Sequence, residues 1–372
     1  MQPIVFVFCT AILIQICYFL VFAIAFGRRK SQLKSISPVA ALSQPVSILV
    51  CAHDEERNLR ELIPLLLAQN FPEFEIIVIN DRSNDGTYDY LLEEGKADQR
   101  IRMVNVDRIP PHVNGKKYSL TLGIKAAKYD LLLLTDADCR PDSENWISSM
   151  SSAFEEKTQF VLGFSPYRKG KGFLNLFIRF ETLLTALQYC SFALLRNPYM
   201  GVGRNLAYRK SFFLAGKGFH EIMNVTGGDD DLYVNQHANS SNTTLVVNKA
   251  ATTYTFAEET WTDFIRQKQR HLSVGKLYKF KHRFWLGLFT VSWLISWISI
   301  VPAVIFSGFP LIVAGLMIAR IALLMIAFDI ALRKFEHKFE LWTLPFLDFL
   351  FSIYYLTTGL LTLGSKKVRW KN

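Results

Sequence analysis

Four long stretches with almost no charge constrain this chain more than any other feature. Pro3–Gly27 and Trp285–Phe306 carry none, and Phe309–Leu332 and Leu341–Gly364 carry only Arg320, Asp329 and Asp348. Each runs 22 to 25 residues, above the ~20 that a helix needs to cross a bilayer. A block of ordinary polarity separates the first from the rest. The sequence therefore predicts a multi-pass membrane protein: an anchor over 1–27, a basic linker over 28–44, and a soluble unit over 45–280. Three transmembrane or re-entrant helices follow over 285–364, and then a basic tail over 365–372.

The charge pattern orients the chain. Lys+Arg outnumber Asp+Glu by 42 to 32, giving +10, and 50% of residues are hydrophobic, which excludes a disordered chain. Arg28, Arg29, Lys30 and Lys34 follow the first apolar stretch, whereas a cleaved signal peptide carries its charge before a shorter core. Positive charge stays on the cytoplasmic side. The N-terminus is thus expected outside and the soluble unit in the cytoplasm, at a bacterial inner membrane. Three later crossings leave Lys366, Lys367, Arg369 and Lys371 outside, against the rule. Either the rule fails at the tail, or one C-terminal stretch is re-entrant or interfacial. Basic residues gather near the apolar stretches, so their expected partner is the phospholipid bilayer and not nucleic acid. The five cysteines have no zinc or disulfide spacing, in keeping with a reducing cytosol.

Within 38–280, β-rich apolar runs occur at Val46–Ala52, Glu75–Asn80, Ile101–Val106, Asp130–Thr135, Gln159–Phe164 and Thr243–Asn248. Helix-like stretches near Glu55–Gln69, Thr87–Glu94 and Lys116–Lys128 lie between the first four. This alternation predicts an α/β fold: a mostly parallel sheet with helices on both faces. Ligands of such sheets bind beyond the carboxyl ends of the strands. The loops there are acidic: Asp54-Glu55-Glu56, Asp81 to Gly86, Asp136-Ala137-Asp138, and later Asp229-Asp230-Asp231. Carboxylates crowded at one edge repel, and a divalent cation relieves that.

Seven segments in fixed order carry a resemblance: Val46–Asn58, Glu75–Thr87, Gly115–Ile124, Asp130–Pro141, Gly203–Phe212, Asp229–Leu232 and Gln267–Arg270. Over about residues 45–280 the chain resembles the family 2 glycosyltransferases, inverting enzymes with a GT-A fold, many of them membrane-anchored. The resemblance implies a nucleotide-sugar donor, with Ala52, Asp54, Glu55 and Ser83 at the nucleotide pocket and Asp81 on the base, usually uracil. It makes Asp136 and Asp138 the Asp-x-Asp pair, Asp138 holding Mg²⁺ or Mn²⁺ on the donor diphosphate. Lys116 is implied beside the nucleotide sugar, Asn205 near donor and acceptor, and Asp229 as general base. Gln267 and Arg270 match the first and fourth positions of the QxxRW signature near the diphosphate and acceptor, and His271 stands where that signature has tryptophan. Three consecutive aspartates leave Asp230 as a register alternative for the base.

Inverting transfer asks one carboxylate to take the proton of the acceptor hydroxyl, while a cation steadies the departing nucleoside diphosphate. The expected activity is metal-dependent sugar transfer to a lipid-linked or membrane-delivered acceptor. The alternatives are a processive polysaccharide synthase and a catalytically inactive membrane scaffold. Segment 172–196 reads equally as a helix lying on the inner leaflet or as a core helix. Arg320 and Asp348 fall at depths that permit pairing.

Overall fold

The computed structural model describes residues 2–28 and 44–364; the basic tail and most of the basic linker lie outside the described residues. In chain order the elements are α1 (Pro3–Arg28), β1 (Val46–Ala52), α2 (Glu56–Leu67), β2 (Phe74–Asp81), α3 (Thr87–Ala97), β3 (Ile101–Val106) and α4 (Gly115–Ala126). Then come β4 (Leu131–Asp136), β5 (Arg140–Pro141), α5 (Trp146–Ser151), β6 (Phe160–Leu162), α6 (Gly172–Leu194), β7 (Leu206–Arg209), α7 (Lys210–Ala215), α8 (Asp231–His237), β8 (Thr243–Leu245) and β9 (Thr253–Tyr254). The chain continues through α9 (Trp261–Gly275), α10 (Phe280–Ile298), α11 (Ile300–Phe306), α12 (Pro310–Phe335) and α13 (Leu344–Gly364).

The main sheet has the order β3-β2-β1-β4-β7-β6-β8, and β5 pairs with β9 beside it. Within it, β7 runs antiparallel to β4 and β6, while the remaining pairings are parallel. Alternate residues of β1 point to opposite faces. Val46, Ile48 and Val50 meet Leu59, Leu62, Ile63 and Leu66 of α2 and Trp146 of α5. Leu49, with Ile77 and Ile79 of β2, meets Leu120 and Ile124 of α4. Each such side chain contributes roughly 1.5–3 kcal/mol when fully buried. Helix α4 lies close on the sheet because position 123 is glycine: a β-carbon there would sit 2.5 Å from Ile79 Cγ1. The sheet and both helical layers match the expectation; β7, four residues long and lodged between β4 and β6, has no counterpart in it.

On the membrane side, α1 and α12 are each long and apolar enough to cross a bilayer. The expected stretch Trp285–Phe306 is instead two helices, α10 and α11, bent by 52° and together long enough for a third span. Pro302 explains the break, since it has no N–H for the carbonyl of Ile298 and its ring crowds that carbonyl. Helix α1 runs antiparallel to α10: Tyr18 Oη donates to the carbonyl of Trp285 at 2.7 Å, and Gln15 Nε2 to Ser292 Oγ at 2.7 Å. The fourth apolar stretch, α13, also runs antiparallel to α10. Trp297 Nε1 donates to Asp348 Oδ2 at 2.8 Å, Phe351 packs on Trp293, and Tyr355 shares a hydrogen bond with Thr290. Its carboxyl-terminal half therefore heads back toward the start of α10 and the α/β unit.

Arg320 and Asp348 do pair, both fully buried. Helix α6 packs against the apolar helices. Phe177, Phe180, Leu183, Leu184 and Leu187 are buried, against Phe351 of α13, Phe328 of α12 and, farther along, Phe22 of α1. Arg179 of α6 pairs with Glu340 at 3.1 Å, and Lys169 with the same carboxylate at 2.5 Å. The segment between α12 and α13 is thereby fastened to the α/β unit.

Candidate active site

The acidic loops converge where β1, β2 and β4 end. Asp136 closes β4, and Asp138 follows in the turn before β5, where Thr255 Oγ1 donates to its Oδ2 at 2.9 Å. Burial and then Asp136 push the Asp138 carboxyl above its usual range, against the Thr255 hydrogen bond and Arg204. Lys116, in the first turn of α4, stands between two carboxylates: its Nζ is 3.3 Å from Asp136 Oδ1 and 3.0 Å from Asp229 Oδ2. Burial alone raises a carboxyl, but Lys116 and Lys117 outweigh it at Asp229 and hold that group below the usual range.

The three aspartates at the start of α8 have separate tasks. Asp230 is the helix cap: its carboxylate accepts the N–H of Asp231 at 2.7 Å and that of Gly203 at 2.6 Å. Asp231 accepts the Tyr278 hydroxyl at 2.6 Å, and burial, reinforced by Asp230, pushes it up to about 8. Asp229 alone of the three faces Lys116 at ion-pair distance among the described residues. Gly227 and Gly228 precede it at φ +78° and +82°, a region glycine enters without steric cost.

A cavity of about 1510 Å³ joins these groups to the membrane helices. Ala52, Glu55, Asp81, Lys116, Asp136, Asp138, Asp229 and Asp230 line its sheet end. Gln267, Arg270 and His271 of α9 line its middle, and Phe289, Trp293, Phe351 and Tyr355 its far end. Asp81 is held by its neighbour, Arg82 Nε donating at 2.8 Å, and Gln267 Nε2 donates to Glu258 at 3.2 Å. His271 is open to the cavity.

Three expected site residues have other work. Asp54 and Ser83 stitch two loops together: Asp54 N–H donates to Ser83 Oγ at 3.0 Å, and Asn84 N–H to Asp54 Oδ1 at 2.6 Å. Neither is among the cavity-lining residues. Asn205 is buried in the core, donating to the carbonyls of Phe164 and Ala251 at 2.8 and 2.7 Å and accepting Trp146 Nε1 at 3.1 Å. Nothing in the sequence pointed to Thr255, just after the two-residue strand β9, or to the ion pair between Glu181 of α6 and Lys268 of α9 at 2.5 Å, which also borders the cavity.

The residues present fit a hard divalent cation. Asp136, Asp138 and Cys139 bring potential ligand atoms within 4.8 Å of one another. Cys139 is an unsuitable partner for Mg²⁺ or Mn²⁺, since burial pushes its thiol well up and such ions prefer oxygen. The two carboxylates remain, and a cation between them relieves the repulsion that raises Asp138.

Two overlapping family descriptions match the chain: glycosyl transferase family 2 over residues 47–215, and glycosyl transferase family group 2 over residues 132–332. The second spans more than half of the chain. The chain belongs to glycosyltransferase family 2. Curated relatives of this family 2 protein include the probable glycosyltransferase YdaM of Bacillus subtilis, 28% identical over 243 residues, covering 60% of this chain and 54% of that one. A poly-beta-1,6-N-acetyl-D-glucosamine synthase of Staphylococcus epidermidis is 32% identical over 100 residues, 27% of this chain and 23% of that one. The chain spans about half or less of the length of these relatives. Among solved structures, the mannosyltransferase PcManGT from Pyrobaculum calidifontis, in complex with GDP-Man and Mn²⁺, superposes with a TM-score of 0.56 at 14% identity, over 97% of this chain and 100% of that one. At that identity the likeness establishes the shared GT-A fold.

Proposed function

We propose that this family 2 protein transfers a sugar, with inversion, from a nucleotide-sugar (a UDP-sugar by the resemblance of Asp81) to a lipid-linked or membrane-delivered acceptor. The observation that carries this reading is the single cavity running from Asp136, Asp138 and Asp229 to Trp293 and Phe351 among the membrane helices. A donor enters at the strand ends, and an acceptor reaches the same space from the bilayer side. Asp229 takes the proton of the acceptor hydroxyl as the oxygen attacks the anomeric carbon. Such a base supplies ~10²- to 10⁴-fold. Asp230 is unsuited to that work, because both its carboxylate oxygens are engaged by backbone N–H groups.

Asp136 and Asp138 would hold Mg²⁺ or Mn²⁺, which when bound neutralises charge on the leaving diphosphate. Lys116 supports the same end of the donor. In the free protein it pairs with Asp229; an arriving diphosphate competes for that ammonium and leaves Asp229 a stronger base. Gln267 and Arg270 approach the acceptor and the product diphosphate, and His271 offers the acceptor a hydrogen bond where a tryptophan would stack. The protein resides as a multi-pass protein in a bacterial inner membrane, its catalytic unit in the cytoplasm.

A second reading, polymer synthesis, draws on the similarity to the poly-N-acetylglucosamine synthase. Against it, the described residues contain two helices fit to cross a bilayer, or three with the bent pair, which is little wall for a polymer channel. The deciding experiment is nucleoside diphosphate release by purified protein across a panel of nucleotide-sugars, with Mn²⁺, Mg²⁺ or EDTA and a membrane-lipid extract. Release from one donor that stops in EDTA supports the reading. No release, together with no donor binding by calorimetry, refutes it in favour of a scaffold, and long-chain glycan in the product favours the polymer synthase.

A further inference from the structure

Lys117 has no task in the reaction as described, yet it is fully buried and does not line the cavity. An ammonium taken out of water needs partners, and its partners say what it is for. They are two backbone carbonyls of one loop: Nζ donates to Val225 O at 2.5 Å and to Gly227 O. Just before them, the N–H of Asn114, which caps α4, donates to Met223 O at 2.8 Å. The start of α4 thus grips the loop at every second residue from 223 to 227. Two residues further on stands Asp229. Between grip and carboxylate lie Gly227 and Gly228, whose positive φ values mark them as the most permissive backbone in the loop. The next residue back along α4 completes the arrangement: Lys116 Nζ meets the Asp229 carboxylate itself at 3.0 Å.

We propose that Lys117 is a positioning residue: its ammonium fixes the Gly227–Gly228 bend so that Asp229 meets the acceptor hydroxyl at hydrogen-bond distance, without touching donor or acceptor. The inference rests on the reading of Asp229 as the base. Distance makes the tether matter. A base must come within ~2.6–3.2 Å of the oxygen whose proton it removes, and a 1 Å displacement costs on the order of 10²-fold in rate. Two φ-permissive glycines left to themselves permit a displacement of that size.

The test compares Lys117→Met, Lys117→Gln, Gly227→Ala and Asp229→Asn in the full-length protein, reading kcat, the KM for the donor, nucleoside diphosphate affinity by calorimetry, and melting temperature. Lys117→Met is expected to lose about 10²-fold in kcat with diphosphate affinity and donor KM unchanged. Lys117→Gln keeps N–H donors on a shorter stem and falls between Met and wild type. Gly227→Ala strains the same bend from the other side and gives the same loss in kcat alone, so the inference stays open to refutation if Lys117→Met does not fold. Wild-type kcat in Lys117→Met beside an inactive Asp229→Asn overturns the inference and leaves the base assignment standing. A parallel fall in kcat, diphosphate affinity and melting temperature also overturns it, as the mark of a purely structural lysine. Activity retained in Asp229→Asn overturns the base reading and the inference together.

Discussion

Asp348→Leu is the most informative perturbation of the membrane part. The Asp348 carboxylate accepts both terminal nitrogens of Arg320, one at 3.1 Å, and Trp297 Nε1 at 2.8 Å. Among the described residues Arg320 has one further hydrogen-bond acceptor, the amide oxygen Gln15 Oε1 at 3.4 Å, and it lies over the Trp293 ring at 5.0 Å. Removing the carboxylate leaves a fully buried guanidinium facing aromatic rings and one amide oxygen. Breaking a buried pair from one side costs about 3–5 kcal/mol, whereas replacing both members by apolar groups is often neutral or stabilising. Part of that cost is recovered in a membrane, where the unfolded reference also finds partners, so the lower end, about 3 kcal/mol, is expected. The assay is thermal unfolding in one detergent, followed by tryptophan fluorescence, for Asp348→Leu, Arg320→Met and the double variant. Both singles should melt well below wild type and the double variant near it, a coupling that the double-mutant cycle measures directly. A double variant as unstable as the worse single refutes the reasoning, because the loss would then lie in packing and not in an unpaired charge.

Other outcomes follow from the same structure. Asp230→Ala removes the acceptor of two short backbone contacts; it should melt lower by roughly 1–3 kcal/mol, and unchanged melting would remove its role as helix cap. Lys116→Met leaves Asp136 and Asp229 without their shared cation, and calorimetry should find donor affinity reduced at least about tenfold; undiminished affinity would place the diphosphate elsewhere. Asp231 has a folded pKa of about 8, raised from an unfolded value near 3.9. The stability it contributes is complete below the unfolded value and is lost as pH rises through about 8. Asp231→Asn should therefore gain on wild type in melting scans from pH 5 to pH 8, and a constant offset would count against a protonated Asp231. Since α13 heads back toward the catalytic unit, a fluorescent protein fused after Asn372 should fluoresce and alkaline phosphatase at that point stay silent; active phosphatase would mean that α13 crosses.

The parallel half of the sheet was legible because β1, β2 and β4 are unbroken apolar runs separated by helical stretches, a pattern that few other arrangements bury. The short β7 was not, since four residues bounded by Asn205 and Lys210 carry no periodicity of their own. Lys116, Asp136, Asp138 and Asp229 could be found by order along the chain, and they meet in one cavity. Asp54, Ser83 and Asn205 could not be told from ligand-binding residues, because a side chain that ties a loop is chosen for the same hydrogen-bonding groups as one that holds a sugar. Asp230 and Asp229 became distinguishable only once the N–H groups of Gly203 and Asp231 were seen to occupy the former. The bend at Pro302 was open to reading; the direction of α13 was not, since apolar length says nothing of which way a helix runs.

Helix α6 has a consequence beyond packing. Its Phe177, Phe180 and Phe192 are shared with α13, α12 and α1, so one hydrophobic core joins the catalytic unit and the apolar helices in a single packed solid. A solid of this kind works like a gauge of fixed height. In the proposed transfer to a membrane-delivered acceptor, such a solid sets the height of Asp229 above the bilayer, and only a hydroxyl presented at that height would reach it. Two acceptors of identical chemistry, one carried on a longer stem than the other, are thereby told apart by height alone.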